Sequence, residues 1–439
     1  MCPLSPYMNL KRLLFILPFL SITLSACDKN KNNNDSEPST VDPTDDSDIP
    51  LMDVSTIKGS LLNRNKNPLV KWEGRYEYKA ATEELPSTMY LYHAATGFTV
   101  DFIGTKLEVS FVHYLDLDGF NNVNIYYDYA IDDETLPNPV NRRFHLSSAN
   151  VKETITLCEG LTNKQHTVKC LKMSEAKDAY TGIYEIKTDG KFVYRDVEAD
   201  NSHLKFMFIC ASGGSGYGAL AYSEEGPNAK TKKISNSSAL HSFNYLTARR
   251  FNADVMYVAT SGWGVRYPEN RQISQVLDKA GVTPSNDVNG ALTTGDWNKD
   301  KYIPDVIIFN IGGNDTKNSA FNATNYKARV VEMVRKMHSY YPLAKMLWTH
   351  TVSNAGGYAI SELTAQGIMS EGYIYESIIY KVGHGEVGSG EGTYGASEHY
   401  SLKTQIDSAK KLTEQLQDLG YTPTVDPVSF TDFNFEIEF

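Results

Sequence analysis

Residues 204–218 read LKFMFICASGGSGYG, and their pattern decides how the rest of the chain is built. Leu204 to Cys210 is apolar apart from Lys205, and glycine follows at positions 213, 214, 216 and 218. A run this short, bounded by glycine, predicts a strand buried on both faces, as inside a parallel sheet. Ser212 then stands at the carboxyl end of that strand on a sharply turned backbone, where α/β folds present a reacting group.

Downstream, helix and strand patterns alternate. Ala239–Phe251 predicts a helix, and Asp254–Thr260 (DVMYVAT) and Pro304–Ile311 (PDVIIFNI) predict strands. Asn325–Tyr340 places Val330, Val334 and Met337 on one helical face, and Lys345–His350 (KMLWTH) reads as a fourth strand. Ser401 suits the cap of a last helix striped with Leu402, Ile406, Ala409, Leu416 and Leu419, and Gly420 closes it. Such alternation means a parallel sheet covered on both faces. Upstream, from about Ser55 to Asp196, short alternating runs such as GFTVDFIG (97–104), KLEVSFVHY (106–114) and NVNIYYDYAI (122–131) predict a β-sandwich or jelly roll. TLCEGLTNKQHTVKCL reads as a hairpin flanked by Cys158 and Cys170, which either bridge or stay as two buried thiols, while Cys210 reads as a small packed residue. The last residues, from Asp426, alternate weakly and carry no assigned role.

The amino terminus is a targeting pattern. Lys11 and Arg12 precede the apolar run Leu13–Leu24, which is too short for a stable membrane span, and Leu24-Ser25-Ala26-Cys27 follows. Those four residues resemble the bacterial lipoprotein processing box, implying lipid attachment at Cys27, an exported protein and a membrane anchor. Residues 28–54 are polar and predict a disordered tether. The resulting division is signal 1–27, tether 28–54, sandwich 55–198, α/β domain 199–422 and tail 423–439. With 53 acidic against 42 basic residues the net charge is −11, and no Lys/Arg block supports nucleic-acid binding.

Three predicted strands end in unusual residues: Ser212, then Ser261-Gly262-Trp263-Gly264, then Gly312-Gly313-Asn314-Asp315. His399 precedes the last helix. In a parallel sheet these ends open onto one crest and can converge. The set contains what acyl transfer needs: a hydroxyl, an imidazole to take its proton, and N–H donors at Ser212, Gly262 and Asn314 for an oxyanion. Ser215, His350 and His384 are weaker rivals, Asp315 reads as fixing its loop, and Trp263 reads as a cleft wall for a sugar ring or as packing. No metal-ligand spacing is present and no cofactor is implied.

Ser212, Gly262, Asn314 and His399, with the stretches IGGND, FNADVMYVATSGWGV and FICASGGSGYG, resemble the SGNH (GDSL-like) hydrolases. The β-rich first domain, with EGLTNKQHTVKCLKMSEA, is similar to carbohydrate esterase family 2. The resemblance implies a jelly roll followed by a flavodoxin-like three-layer α/β/α domain, with Ser212 as nucleophile and His399 as base. It implies an acetylated carbohydrate as substrate; the other reading is a glycan-binding lipoprotein without catalysis. Two positions depart from the family. Cys210-Ala211-Ser212 stands where Gly-Asp-Ser is usual, and Ala396 stands where Asp often precedes the histidine. A main-chain carbonyl orienting His399 is therefore expected, as in some members of that family.

Overall fold

The computed structural model describes residues 53–433 except 115–123, 139–141, 148, 224, 226–227, 284–293 and 385–392. The export segment, Cys27, most of the tether, the glycine-rich loop after His384 and the last six residues lie outside the described residues. Among the described residues no helix is long and apolar enough to cross a membrane.

Twelve described strands precede the parallel sheet. They are β1 (Thr56–Lys58), β2 (Val70–Glu73), β3 (Tyr76–Lys79), β4 (Thr88–Leu91), β5 (Gly97–Gly104), β6 (Leu107–Tyr114), β7 (Ile125–Ile131), β8 (Arg143–Leu146), β9 (Lys152–Cys158), β10 (Lys164–Lys172), β11 (Tyr180–Thr188) and β12 (Lys191–Val193). One antiparallel sheet runs β3-β4-β11-β6-β9 with β1 on β11, and the other runs β12-β5-β10-β7-β8 with β2 on β5. Alternate residues of each sheet point inward, and Phe98, Val100, Phe102 and Val168 meet Val109, Phe111, Ile183 and Ile186 in one core. The expected hairpin at 156–171 is corrected: β9 pairs with β6 and β10 with β5 and β7, so the segment between them passes from one sheet to the other. Cys158 and Cys170 are accordingly separate, buried, free thiols.

After the short helix α1 (Val197–Asn201) come β13 (Lys205–Cys210), α2 (Phe243–Arg250), β14 (Asp254–Ala259) and β15 (Val306–Asn310). The chain continues through α3 (Gly313–Thr316), α4 (Ala323–Tyr340), β16 (Lys345–His350), α5 (Asn354–Ala365), β17 (Ile374–Ile378) and α6 (Leu402–Asp418). The strands form one parallel sheet in the order β14-β13-β15-β16-β17. Numbered within the sheet this is 2-1-3-4-5, the flavodoxin-like order, whose direction reverses between β13 and β15 and leaves a crevice beyond their carboxyl ends. Strand alternation supplies both faces. Met207 and Ile209 pack toward Val330 and Val334 of α4 and Leu363 of α5, whereas Phe206, Phe208 and Cys210 pack toward Phe243 and Leu246 of α2 and Leu402 and Leu412 of α6.

The two halves share apolar core. Leu171 and Met173, at the end of β10, belong to the same cluster as Phe208, Leu240 and Phe243. Arg75, 1% exposed, donates to the carbonyls of Val276 and Lys279 at 3.2 and 2.7 Å. The carboxyl-terminal segment crosses back over α2, where Thr424 N–H donates to the Arg250 carbonyl at 2.8 Å. Phe430 then packs on Tyr222 at 5.4 Å between ring centroids.

Candidate active site

Ser212 is held by a turn that only small residues allow. Gly216 has φ +71, and a Cβ there would lie 1.9 Å from the Ser238 carbonyl oxygen. That closeness lets Ser238 N–H donate to the Gly216 carbonyl at 3.0 Å. Asn244 of α2 donates to the Gly214 carbonyl at 3.1 Å, and Gln405 of α6 to the Gly213 carbonyl at 3.2 Å. The turn is thus tied to both helices of one sheet face. Ser215 is 3% exposed and its hydroxyl donates to the Ser212 carbonyl at 3.2 Å, which makes it a strut of the turn.

His399 meets Ser212 from the segment before α6. Its Nε2 lies 2.8 Å from Ser212 Oγ, and its Nδ1 lies 2.6 Å from the Ser397 carbonyl oxygen. A carbonyl only accepts, so Nδ1 carries the proton and Nε2 offers its lone pair to the hydroxyl. Ser397 and Glu398 have φ of +52 and +62, a left-handed pair that turns the Ser397 carbonyl back onto the ring. The imidazole packs against Tyr217, with centroids 4.2 Å apart and the ring planes tilted by 36°. Burial holds the His399 imidazolium below its ordinary pKa, the Ser397 carbonyl works against that, and the Lys317 ammonium adds to it.

The other expected donors, Gly262 and Asn314, come from the segments that follow β14 and β15. Trp263 N–H donates to the Thr260 carbonyl at 3.4 Å, closing a four-residue turn in which Gly262 has φ +83. Positive φ at the third position is what a type II turn demands. Asn314, in α3, donates one amide hydrogen to the Trp263 carbonyl at 2.8 Å, which leaves its second hydrogen for another acceptor. Asp315 gathers the N–H groups of Val265, Arg266 and Tyr267 at 2.9, 2.7 and 2.8 Å. It therefore holds the loop beyond β14 as well as its own, and stands apart from the chemistry.

Ser212, Gly262, Asn314 and His399 line one cleft of about 360 Å³, with Asn310, Thr349, Thr351 and Lys317 among its polar walls. Trp263 is corrected as a sugar platform. It is 0% exposed and packs among Ile209, Val258 and Ile311, because the turn that points Gly262 into the cleft sends the next side chain into the core. His350 borders the cleft, but its ring nitrogens face the Thr351 carbonyl at 2.5 Å and Glu376 at 3.0 Å. His384 stacks on Tyr380 at 3.7 Å and faces Asp407 at 3.3 Å, away from Ser212. Three contributors escape a reading of the sequence: the Ser397 carbonyl as the particular acceptor, Tyr217, and Lys177, a sandwich-half residue on the cleft wall. The polar run SEAKD after an apolar strand was the available signal for the last.

Comparison with known proteins agrees with this architecture. Residues 73–195 match the family model described as the carbohydrate esterase 2 N-terminal domain. Residues 211–433 match the GDSL-like lipase/acylhydrolase model. The cellulase/esterase CelE of Acetivibrio thermocellus is 22% identical over 366 residues, a stretch that covers 81% of this chain and 40% of that protein. The chain thus spans less than half the length of this curated relative. A family two carbohydrate esterase from Clostridium thermocellum, solved with cellohexaose, shares the fold with TM-score 0.63 and 20% identity over 80% of this chain and 99% of that one. An acetyl xylan esterase from the rumen bacterium Butyrivibrio proteoclasticus does so with TM-score 0.64 and 16% identity, over 84% and 100%.

Proposed function

The chain belongs to the GDSL-like lipase/acylhydrolase family, with a carbohydrate esterase 2 N-terminal domain, and from that premise we propose that it removes O-acetyl groups from polysaccharides or oligosaccharides. The observation that carries this reading is the 2.8 Å contact between His399 Nε2 and Ser212 Oγ, with Nδ1 already committed to a carbonyl. Ser212 Oγ attacks the acetyl carbonyl carbon while Nε2 takes the hydroxyl proton. The Ser212 and Gly262 N–H groups and the free hydrogen of Asn314 Nδ2 receive the oxyanion. Collapse of that intermediate breaks the ester C–O bond, and the imidazolium returns its proton to the departing sugar oxygen. Water, deprotonated by Nε2, then attacks the acetyl-enzyme; the proton passes back to Ser212 and acetate leaves.

The walls favour a small acyl group on a polar alcohol. Ala211, Ile311, Ala355 and Val382 are the aliphatic lining residues, while Asn310, Thr349, Thr351 and Ser353 offer partners for sugar hydroxyls. The amino-terminal targeting pattern adds the proposal that the enzyme is exported and anchored through lipid at Cys27. The test is acetate release from acetylated xylan and turnover of p-nitrophenyl acetate by wild type and Ser212→Ala. The substitution is expected to lower kcat by at least about 10³-fold, as loss of a serine nucleophile does elsewhere. Equal rates would overturn the esterase reading and favour a glycan-binding surface protein. Preference for long-chain esters over acetate would move the substrate to a lipid.

A further inference from the structure

The mechanism above leaves one buried segment of the sandwich half unused, although it ends against the oxyanion turn. Residues 173–179 leave β10 and run beside the α/β half, where the Met173 carbonyl accepts Ala239 N–H at 3.1 Å. Lys172, fully buried, donates to the carbonyls of Tyr92 and Ala179 at 2.7 Å each and so clamps the base of this loop. Ala176 sits in the apolar cluster with Ile209, Val258 and Trp263. Glu175 is 4% exposed, and its Oε2 accepts the Ser261 N–H at 2.8 Å. Its second oxygen, Oε1, has no hydrogen-bond partner among the described residues.

We propose that Glu175 is a positioning residue for ester hydrolysis: by holding the Ser261 N–H it fixes the Thr260–Ser261 peptide, which enters the turn whose central peptide presents the Gly262 N–H to the oxyanion. The inference rests on the esterase reading above. Type I and type II turns differ mainly by a flip of their central peptide, here the one joining Ser261 to Gly262. That flip would turn the Gly262 donor away from the cleft. The observed turn is gripped on both sides of this peptide, by Glu175 at the Ser261 N–H and by Asn314 at the Trp263 carbonyl at 2.8 Å. One grip therefore comes from each half of the molecule.

The same loop also reaches the flank of the imidazole. Asp178 accepts from Lys232 Nζ at 2.5 Å, that ammonium lies 5.1 Å from the Tyr217 ring centroid, and Tyr217 packs against His399. Burial, helped by the neighbouring Asp178, pushes the Glu175 carboxyl up, while Lys232 opposes this. A glutamine there would keep a side-chain oxygen able to accept the Ser261 N–H.

The test uses the full chain and p-nitrophenyl acetate, whose acyl part is the proposed one and which carries no sugar. Glu175→Ala is expected to lower kcat about 10- to 100-fold with KM within about threefold, since outright loss of one oxyanion donor elsewhere removes 10²–10³. Glu175→Gln is expected to stay within about threefold of wild type. Should the alanine variant not fold, Glu175→Met fills the same space without an acceptor and replaces it in the comparison. An active wild type whose alanine and methionine variants keep full kcat overturns the inference alone, as does a glutamine variant as impaired as they are. A wild type without Ser212-dependent turnover overturns the esterase reading and this inference together.

Discussion

His399 works beside a dipole where many serine hydrolases place a charge. The Ser397 carbonyl fixes the tautomer as a carboxylate would, but it offers the imidazolium less electrostatic support. Burial, reinforced by Lys317, then keeps the folded-state pKa below the ordinary 6.5. In the proposed mechanism the base must be unprotonated to accept the Ser212 proton, so falling pH should remove activity only once it passes that depressed value. We expect kcat/KM for p-nitrophenyl acetate to fall on a single acid limb centred below pH 6.5. A limb centred above 6.5 would mean that a negative charge reaches the ring after all. Ser212, Gly262, Asn314 and His399 were all legible as candidates because each follows a glycine-marked strand end or precedes a capped helix. Trp263 stayed open between cleft wall and packing because residue type does not reveal which way a turn sends its side chain, and it proves to be packing. Glu175 was not legible at all, since its partner is a backbone N–H 86 residues away.

Among the elements, the loop after β13 is the least tolerant of change. A methyl group at Gly216 combines a positive φ with a 1.9 Å clash against a carbonyl, and no flexible side chain is there to give way. Gly216→Ala is expected to cost at least about 2 kcal/mol of stability in urea denaturation, strain and the displaced Ser238 bond together. Activity should fall as well, because the same turn carries Ser212, the proposed nucleophile. Loss of less than about 0.5 kcal/mol would mean that the loop relaxes freely. Elements with an unbroken pattern, such as β5, β16 and α6, could be placed from the sequence to within a residue or two. The ones that escaped lacked it. β17 (IYESI) places Glu376 in an edge strand, and α5 (NAGGYAISELTA) opens with two glycines that weaken helix propensity. The β9–β10 link imitated a hairpin because sequence alternation says nothing about which sheet a strand joins.

Across the whole molecule, the sandwich and the α/β half are coupled by charge as well as by apolar surface. Lys71 of β2 reaches both carboxylate oxygens of Asp254, at the start of β14, at 2.9 Å, and that carboxylate is only 7% exposed. Burial alone would raise its pKa, but His203, Lys169 and Lys71 outweigh it and hold Asp254 well below the usual carboxylate range. A depressed folded-state value stabilises the protein above the unfolded pKa, near 3.9, and that contribution fades as pH falls toward the folded value. Asp254→Asn leaves the Lys71 ammonium facing an amide, so the expected loss at pH 7 is about 2–3 kcal/mol, below the full figure for a buried pair because Lys71 is partly solvated. At pH 3 the gap between wild type and variant should shrink by about 1 kcal/mol, since the unfolded carboxyl is then largely protonated while the folded one is not. Urea titrations of both proteins at the two pH values measure this. Both proteins should unfold in one transition, because Leu171 and Met173 of the sandwich share a core with Phe208 and Phe243 of the α/β half. A gap that is the same at pH 3 and pH 7 would show that the Asp254 carboxyl is not held below its unfolded pKa, and a variant as stable as wild type would show that the Lys71–Asp254 pair adds nothing to the join.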